Sequence, residues 1–293
     1  MASYNFLKQA KAYVVTSDNN QYRVDIASVT FSQTFTESSY KVKTLHSQDM
    51  FEGSVINKAN PANFELNVPA IQEDDNRVLF DRLIDVESFD LYIKTEAHTF
   101  KLSTCVITNG KFVIEQFRPL SFMITGQASQ LSTVDTIPGT VQTRSSTTTY
   151  NAVQNISVVL GASDISNFVS KLSIELQNNI SWNPYTTVQG AISSNTMFPT
   201  EFTLEKKILS GNIERFLTDE SDQDFQTYSQ GTSLIIKAGT IAGSTLEEGL
   251  EFDILDCSYT TRVAVQSAFL QNYDWRMTDN SSSLSNTITY ITN

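Results

Sequence analysis

Histidine, cysteine, proline, glycine, basic residues and long apolar runs are all scarce in this chain, and each scarcity removes a class of function. Only two histidines, His46 and His98, could serve general-base or triad chemistry, and neither stands in a nucleophile-elbow string. Two cysteines, Cys105 and Cys257, are too few for a disulfide framework and lack zinc-ligand spacing. A reducing cytoplasm is the simplest compartment for them. Six prolines and eleven glycines in 293 residues exclude a collagen-like or linker-dominated chain. No stretch approaches the roughly 20 apolar residues of a membrane span. The opening residues Met1–Lys8 carry no apolar run of signal-peptide length, so neither a membrane nor secretion is expected. Lys and Arg number 20 against 32 Asp and Glu, a formal net charge of −12, and the shortage of bases is worse in the second half. Such a surface repels phosphate, which argues against tight nucleic-acid binding by counterion release. It still suits a surface past which DNA slides without sticking.

What is present is an ordinary folding composition, 40% hydrophobic and 18% charged, in a chain long enough for two domains. Three short patterns occur twice in the same order. Phe80-Asp81-Arg82-Leu83-Ile84 matches Ile213-Glu214-Arg215-Phe216-Leu217, with apolar positions at helical spacing. Asp74 or Asp75 before the first copy, and Ser210 before the second, read as helix starts. Leu91-Tyr92-Ile93-Lys94 matches Leu234-Ile235-Ile236-Lys237, both β-forming. Phe100, Leu102 and Cys105 match Phe252, Ile254 and Cys257, which makes each cysteine a small buried apolar side chain rather than half of a bridge.

These patterns predict a tandem duplication: a first module over 1–131, a Ser/Thr-rich linker over 132–151 with a Pro138-Gly139 turn signal, and a second module over 152–293. Strands are expected over Val24–Phe35, Asn63–Val68, Lys111–Phe117, Met123–Gln127, Lys171–Leu176, Glu201–Leu204, Thr261–Phe269 and Asp274–Met277. Longer loops are expected around 219–230 and 239–249. The fold class is therefore mostly β (α+β), two β-sandwich or barrel-like modules, each with one main helix.

Candidate chemistry is thin. Gly239-Thr-Ile-Ala-Gly243 lacks the lysine of a phosphate loop and reads as a hairpin. Asp219, Glu220, Asp222 and Asp224 cluster carboxylates without EF-hand spacing, and read as a solvated loop. Asp74-Asp75 suits a helix start better than an acid/base pair. Asn155, Asn179 and Asn280 open glycosylation patterns that mean nothing without secretion. No catalytic residue, cofactor or metal site is expected, and the chain is read as a non-enzyme.

In architecture, and in the string Ser39-Tyr40-Lys41-Val42 followed by the loop Ser47–Asn60 and strand Asn63–Val68, the chain resembles bacteriophage tail tube proteins, specifically those with two tube modules fused in one subunit. The resemblance implies trimeric, pseudo-hexameric rings stacked into a tube in the virion tail, assembled in the host cytoplasm. Each module would give strands to an intersubunit β-barrel whose negatively lined channel conducts DNA. It implies self-association, a tape measure protein, and a sheath where the tail has one. Met50, Phe51, Val55 and Ile56 load the 47–60 loop with apolar groups and are the expected inter-ring contact, the loop being longer than its counterpart Ser193–Thr200. The alternatives are a tube-initiating or distal baseplate ring protein with the same module, or a receptor- or carbohydrate-binding β-protein. The last would need aromatic platforms, for which Trp182 and Trp275 are the only tryptophans.

Overall fold

Every second residue of Ala62–Val68 is buried, with Asn63, Glu65 and Asn67 turned outward, and this period-two alternation recurs through most of the chain. The structure, a computed structural model, describes residues 10–40, 53–68, 74–115, 118, 120–142, 153–182, 197–217, 228–265, 268–279 and 284–291. The protein is mostly β with one main helix. The first half runs β1 (Lys11–Thr16), β2 (Asn20–Val24), β3 (Ser28–Ser32), β4 (Phe35–Tyr40), β5 (Gly53–Ala59), β6 (Ala62–Val68), α1 (Asp74–Asp85), β7 (Phe89–Lys94), β8 (Thr99–Ile114), β9 (Ser121–Ala128), β10 (Gln130–Val134) and β11 (Thr140–Val141). The second runs β12 (Asn155–Leu160), β13 (Ser163–Asp164), β14 (Val169–Trp182), β15 (Phe202–Phe216), β16 (Tyr228–Ala242), β17 (Thr245–Val265), β18 (Phe269–Met277), the short α2 (Leu284–Thr287) and β19 (Ile288–Ile291).

Each half is built around one long strand that serves two layers. The start of β8 pairs with β7 and β10, and its end with β9. The start of β17 pairs with β16 and β19, and its end with β18. Next to β9 come β6 and then β3; next to β18 come β15 and then β14. Layers face each other through rings such as Phe64 on Phe89, 6.3 Å apart, and Phe31 on Phe100, 5.3 Å apart.

The matched sequence strings occupy matched registers. Leu91 faces Leu102 and Phe89 faces Cys105, with a bulge between; Leu234 faces Ile254 and Thr232 faces Cys257, with a bulge at the same place. Thr104, in the first of these bulges, takes a left-handed φ of 51°, and the Asp90 carboxylate accepts its N–H at 2.9 Å. Across the other layer the row Ile107, Gly126, Phe64, Phe31 corresponds to Tyr259, Trp275, Gly211, Ile174. In each row a glycine lies under an aromatic ring: Phe64 covers Gly126, and Trp275 covers Gly211. The hairpins β4–β5 and β14–β15 also share a bulge, between Thr36 and Glu37 in one and between Asn179 and Ile180 in the other.

One string pair does not match in structure. Phe80–Ile84 lies in α1, whereas Ile213–Phe216 lies in β15, where Ile213 and Arg215 point inward and Glu214 outward. The expected second helix is thus a strand there. β15 is flanked on both sides by β14 and β18, and that pairing overrides a five-residue pattern. The expected linker is also partly structured: β10 extends the β8 layer, and β11 pairs in parallel with β2. Threonine-rich stretches suit strands, which is why composition alone misread it. The loop expected over 47–60 is strand from Gly53 to Ala59, paired with β4. Of its counterpart between β14 and β15, residues 183–196 lie outside the described residues. The loop expected near 239–249 is mainly the arms of the β16–β17 hairpin, turning at Gly243; that near 219–230 lies outside the described residues except for 228–230, which are strand.

The two halves join edge to edge. The end of β8 pairs antiparallel with β14, Ile114 facing Leu172 and Asn109 facing Gln177. Helix α1 sits at this junction: Phe80 contacts Phe112 of β8 and Tyr290 of β19. Leu83 fills the space above Gly110. The orphan carbonyls at the end of α1 are satisfied from the second half. Asn178 Nδ2 donates to the Leu83 carbonyl at 2.8 Å, and Lys207 Nζ to that of Ile84 at 2.6 Å. Burial pushes the Lys207 ammonium below its usual pKa.

Candidate functional site: a polar sheet face with two open edges

The junction creates one continuous run of eight strands in the order β3, β6, β9, β8, β14, β15, β18, β17. One face of the run packs on the core; the other is polar. Two grooves lie along the polar face, of about 520 Å3 beside Lys111 and Arg262 and about 360 Å3 beside Glu65 and Thr125.

Charges on this face come in opposed pairs. Lys111 faces Glu175 across β8 and β14, and Lys171 lies opposite Glu214 across β14 and β15. Arg262 holds Asp274 at 2.7 Å, and Asn212 Nδ2 donates to the same carboxylate at 2.8 Å. Asn109 and Gln177 donate to Glu175 at 2.6 and 3.0 Å. The Gln177 hydrogen bond is the main reason the Glu175 carboxyl is held below its usual pKa of 4.5. With Glu65, Lys206 and Arg276 added, the described strand residues of this face carry four carboxylates (Glu65, Glu175, Glu214, Asp274) and five cations (Lys111, Lys171, Lys206, Arg262, Arg276). Carboxylates are therefore not in excess among them. Exposed acids such as Asp18, Glu96, Asp164, Glu247 and Asp253 sit elsewhere.

A lowered carboxylate pKa stabilises the fold above its unfolded value, and this contribution disappears as pH falls through the folded value. Glu175→Gln should therefore be less stable than the parent at pH 7, with the gap closing as pH drops below about 4.5. Urea midpoints measured at both pH values check this; a gap that stays constant with pH would show that the Glu175 charge does not matter.

Of the expected inter-ring residues, Met50 and Phe51 lie outside the described residues. Val55 and Ile56 lie on β5, and the Ile56 side chain is 54% exposed. His98 is exposed at the β7–β8 turn, beside Phe100; His46 lies outside the described residues. Cys105 and Cys257 are free, buried thiols; burial raises both pKa values, that of Cys257 to about 11. Asp74 and Asp75 open α1, while Asp219, Glu220, Asp222 and Asp224 lie outside the described residues. Among the described residues, no group of three His, Cys, Asp or Glu could hold a metal ion, and no helix is long and apolar enough to cross a membrane. Trp182 donates its indole N–H to Gln127 at 2.9 Å and Trp275 is buried. Sequence reading missed the β8–β14 junction altogether, because nothing local marks which edge strands will meet.

The fold so far defines a mostly β chain with two registered sheet pairs fused through one seam. A model of the Bacteriophage Baseplate Tube Protein Family matches residues 76–293, and the chain belongs to that family. It is a structural component of the phage tail or baseplate, and so of the virion. No curated protein matches the chain.

Proposed function

We propose that this protein is a non-enzymatic ring-forming subunit of the phage tail tube or its baseplate end. Two tandem modules per chain would make three copies a pseudo-sixfold ring. The supporting observation is the eight-stranded run: its outer edges, the free side of β3 and the end of β17, have no strand partner among the described residues. Open edges of this kind invite pairing, and closing them through neighbouring copies removes the hazard they pose. The polar face then lines the channel. Three of its cations, Lys111, Lys171 and Arg262, stand beside carboxylates, so at those positions DNA phosphates compete with fixed partners. This replaces a simple acidic lining as the reason the genome passes without sticking. A tape measure protein inside and, where the tail has one, a sheath outside are the further partners this role entails.

The family favours the baseplate end. A baseplate ring stops at one or a few layers, whereas a tail tube subunit polymerises into long hollow filaments. Electron microscopy of the purified protein, with its mass in solution, tests the reading. Rings with a mass three times 32.7 kDa are expected. A monodisperse monomer at all concentrations would overturn it.

A further inference from the structure

We propose that the end of β17 in one copy pairs antiparallel with β3 of the next, in a register set by the β8–β14 seam within the chain. The proposal deepens the ring reading above and rests on it. By the rows already traced, Phe31 takes the place of Ile174. On the other side the row Phe112, Phe122, Val68 corresponds to Val263, Gln271, Arg215, so Val263 takes the place of Phe112. Within the chain Phe112 faces Ile174 and Ile114 faces Leu172. Across copies, Val263 then faces Phe31 and Val265 faces Val29. On the polar side Ala264 faces Thr30 and Arg262 faces Ser32, where Val113 faces Ser173 and Lys111 faces Glu175 within the chain.

Burial supports the assignment independently of pairing. Phe112, Ile114 and Leu120 are 1%, 1% and 3% exposed, Phe112 being packed among Phe80, Phe122 and, from the second half, Phe252. Their counterparts Val263, Val265 and Phe269 are 45%, 68% and 57% exposed. The same three positions are core in one half and open in the other, which is what a chain leaves bare when its cover is the next copy. The cover is visible at the opposite edge. Phe252 lies on Phe112 at 6.0 Å, and its register counterpart Phe100 is only partly buried beside Phe31. β3 presents Val29 and Phe31 on the same side as Phe100, so the two edges match in apolar character. Among the described residues, strand β16 reaches as far as Thr260 on β17, and the proposed pairing uses the residues after it.

Cross-strand cysteines report register, because directly opposed residues bring their Cβ atoms within about 5.5 Å. The doubly substituted full-length chains T30C/A264C and S32C/R262C should form interchain disulfides under mild oxidation and run as covalent multimers on a denaturing gel. Each single substitution, and the one-residue offset F31C/A264C, should not. Val265→Asp should abolish assembly while leaving the circular dichroism spectrum of the monomer unchanged, since Val265 is exposed there. If rings form but neither designed pair cross-links, or the offset pair cross-links instead, this register is wrong while the ring reading stands. Assembly of Val265→Asp at parental concentration would also overturn the register. If the parent forms no rings, both fail together.

Discussion

Leu83→Ala should destabilise the protein by about 2–5 kcal/mol. Leu83 is fully buried, and its side chain occupies the place that a Cβ on Gly110 would take. A cavity there cannot close easily. On one side β8 is held by β9 and β14; on the other the end of α1 is tied by Asn178 and Lys207 from the second half. The surroundings are aromatic and rigid, with Phe80 on Phe112 at 6.1 Å and Phe112 stacked on Phe122 at 5.4 Å. Leu83→Met, which conserves volume, should cost less than about 1.5 kcal/mol. Urea unfolding of both variants tests this. A loss within about 0.5 kcal/mol for the alanine variant would show that α1 is a surface appendage and not the wedge between the two halves.

Much of the sheet was legible because inward residues alternate. The spacing of Phe100, Leu102 and Cys105 carries more than alternation: it steps by two and then by three, and the extra residue is the bulge opposite Phe89 and Leu91. Phe252, Ile254 and Cys257 repeat the same step against Thr232 and Leu234. The string therefore encoded a strand with a kink, and its recurrence pointed to matched ladders. The Arg82 and Arg215 strings misled because five residues cannot separate a helix from a strand. Arg215, buried on the inner face of β15, donates to Gln271 at 2.8 Å and lies over Tyr273. Composition does not locate the acids: a net charge says how many there are, whereas strand parity decides which face they occupy. The β8–β14 seam, which defines the candidate site, depends on two segments far apart in sequence and leaves no local trace.

Replacing residues 41–52 with an Asn-Gly turn should leave rings intact and stop them from stacking. β4 and β5 form a two-stranded sheet of their own, beyond the point where β3 and β6 join the main run. An isolated hairpin of this kind is marginal in water and needs a surface to pack on. Its base has one: Phe35 meets Phe198 edge to face at 6.4 Å, and the Ala59 N–H donates to the Met197 carbonyl at 2.9 Å. Further out Ile56 is exposed, and Met50, Phe51 and Val55 precede it in the sequence. An exposed apolar side chain on this hairpin is expected to bury against the adjacent ring. The Asn-Gly turn preserves the β4–β5 ladder and removes residues 41–52, so it separates loss of contact from loss of fold. Ile56→Lys should weaken stacking in the same direction without shortening the arm. Sedimentation and electron microscopy distinguish single rings from stacks, and parental stacks formed by the turn variant would remove this hairpin from the inter-ring contact.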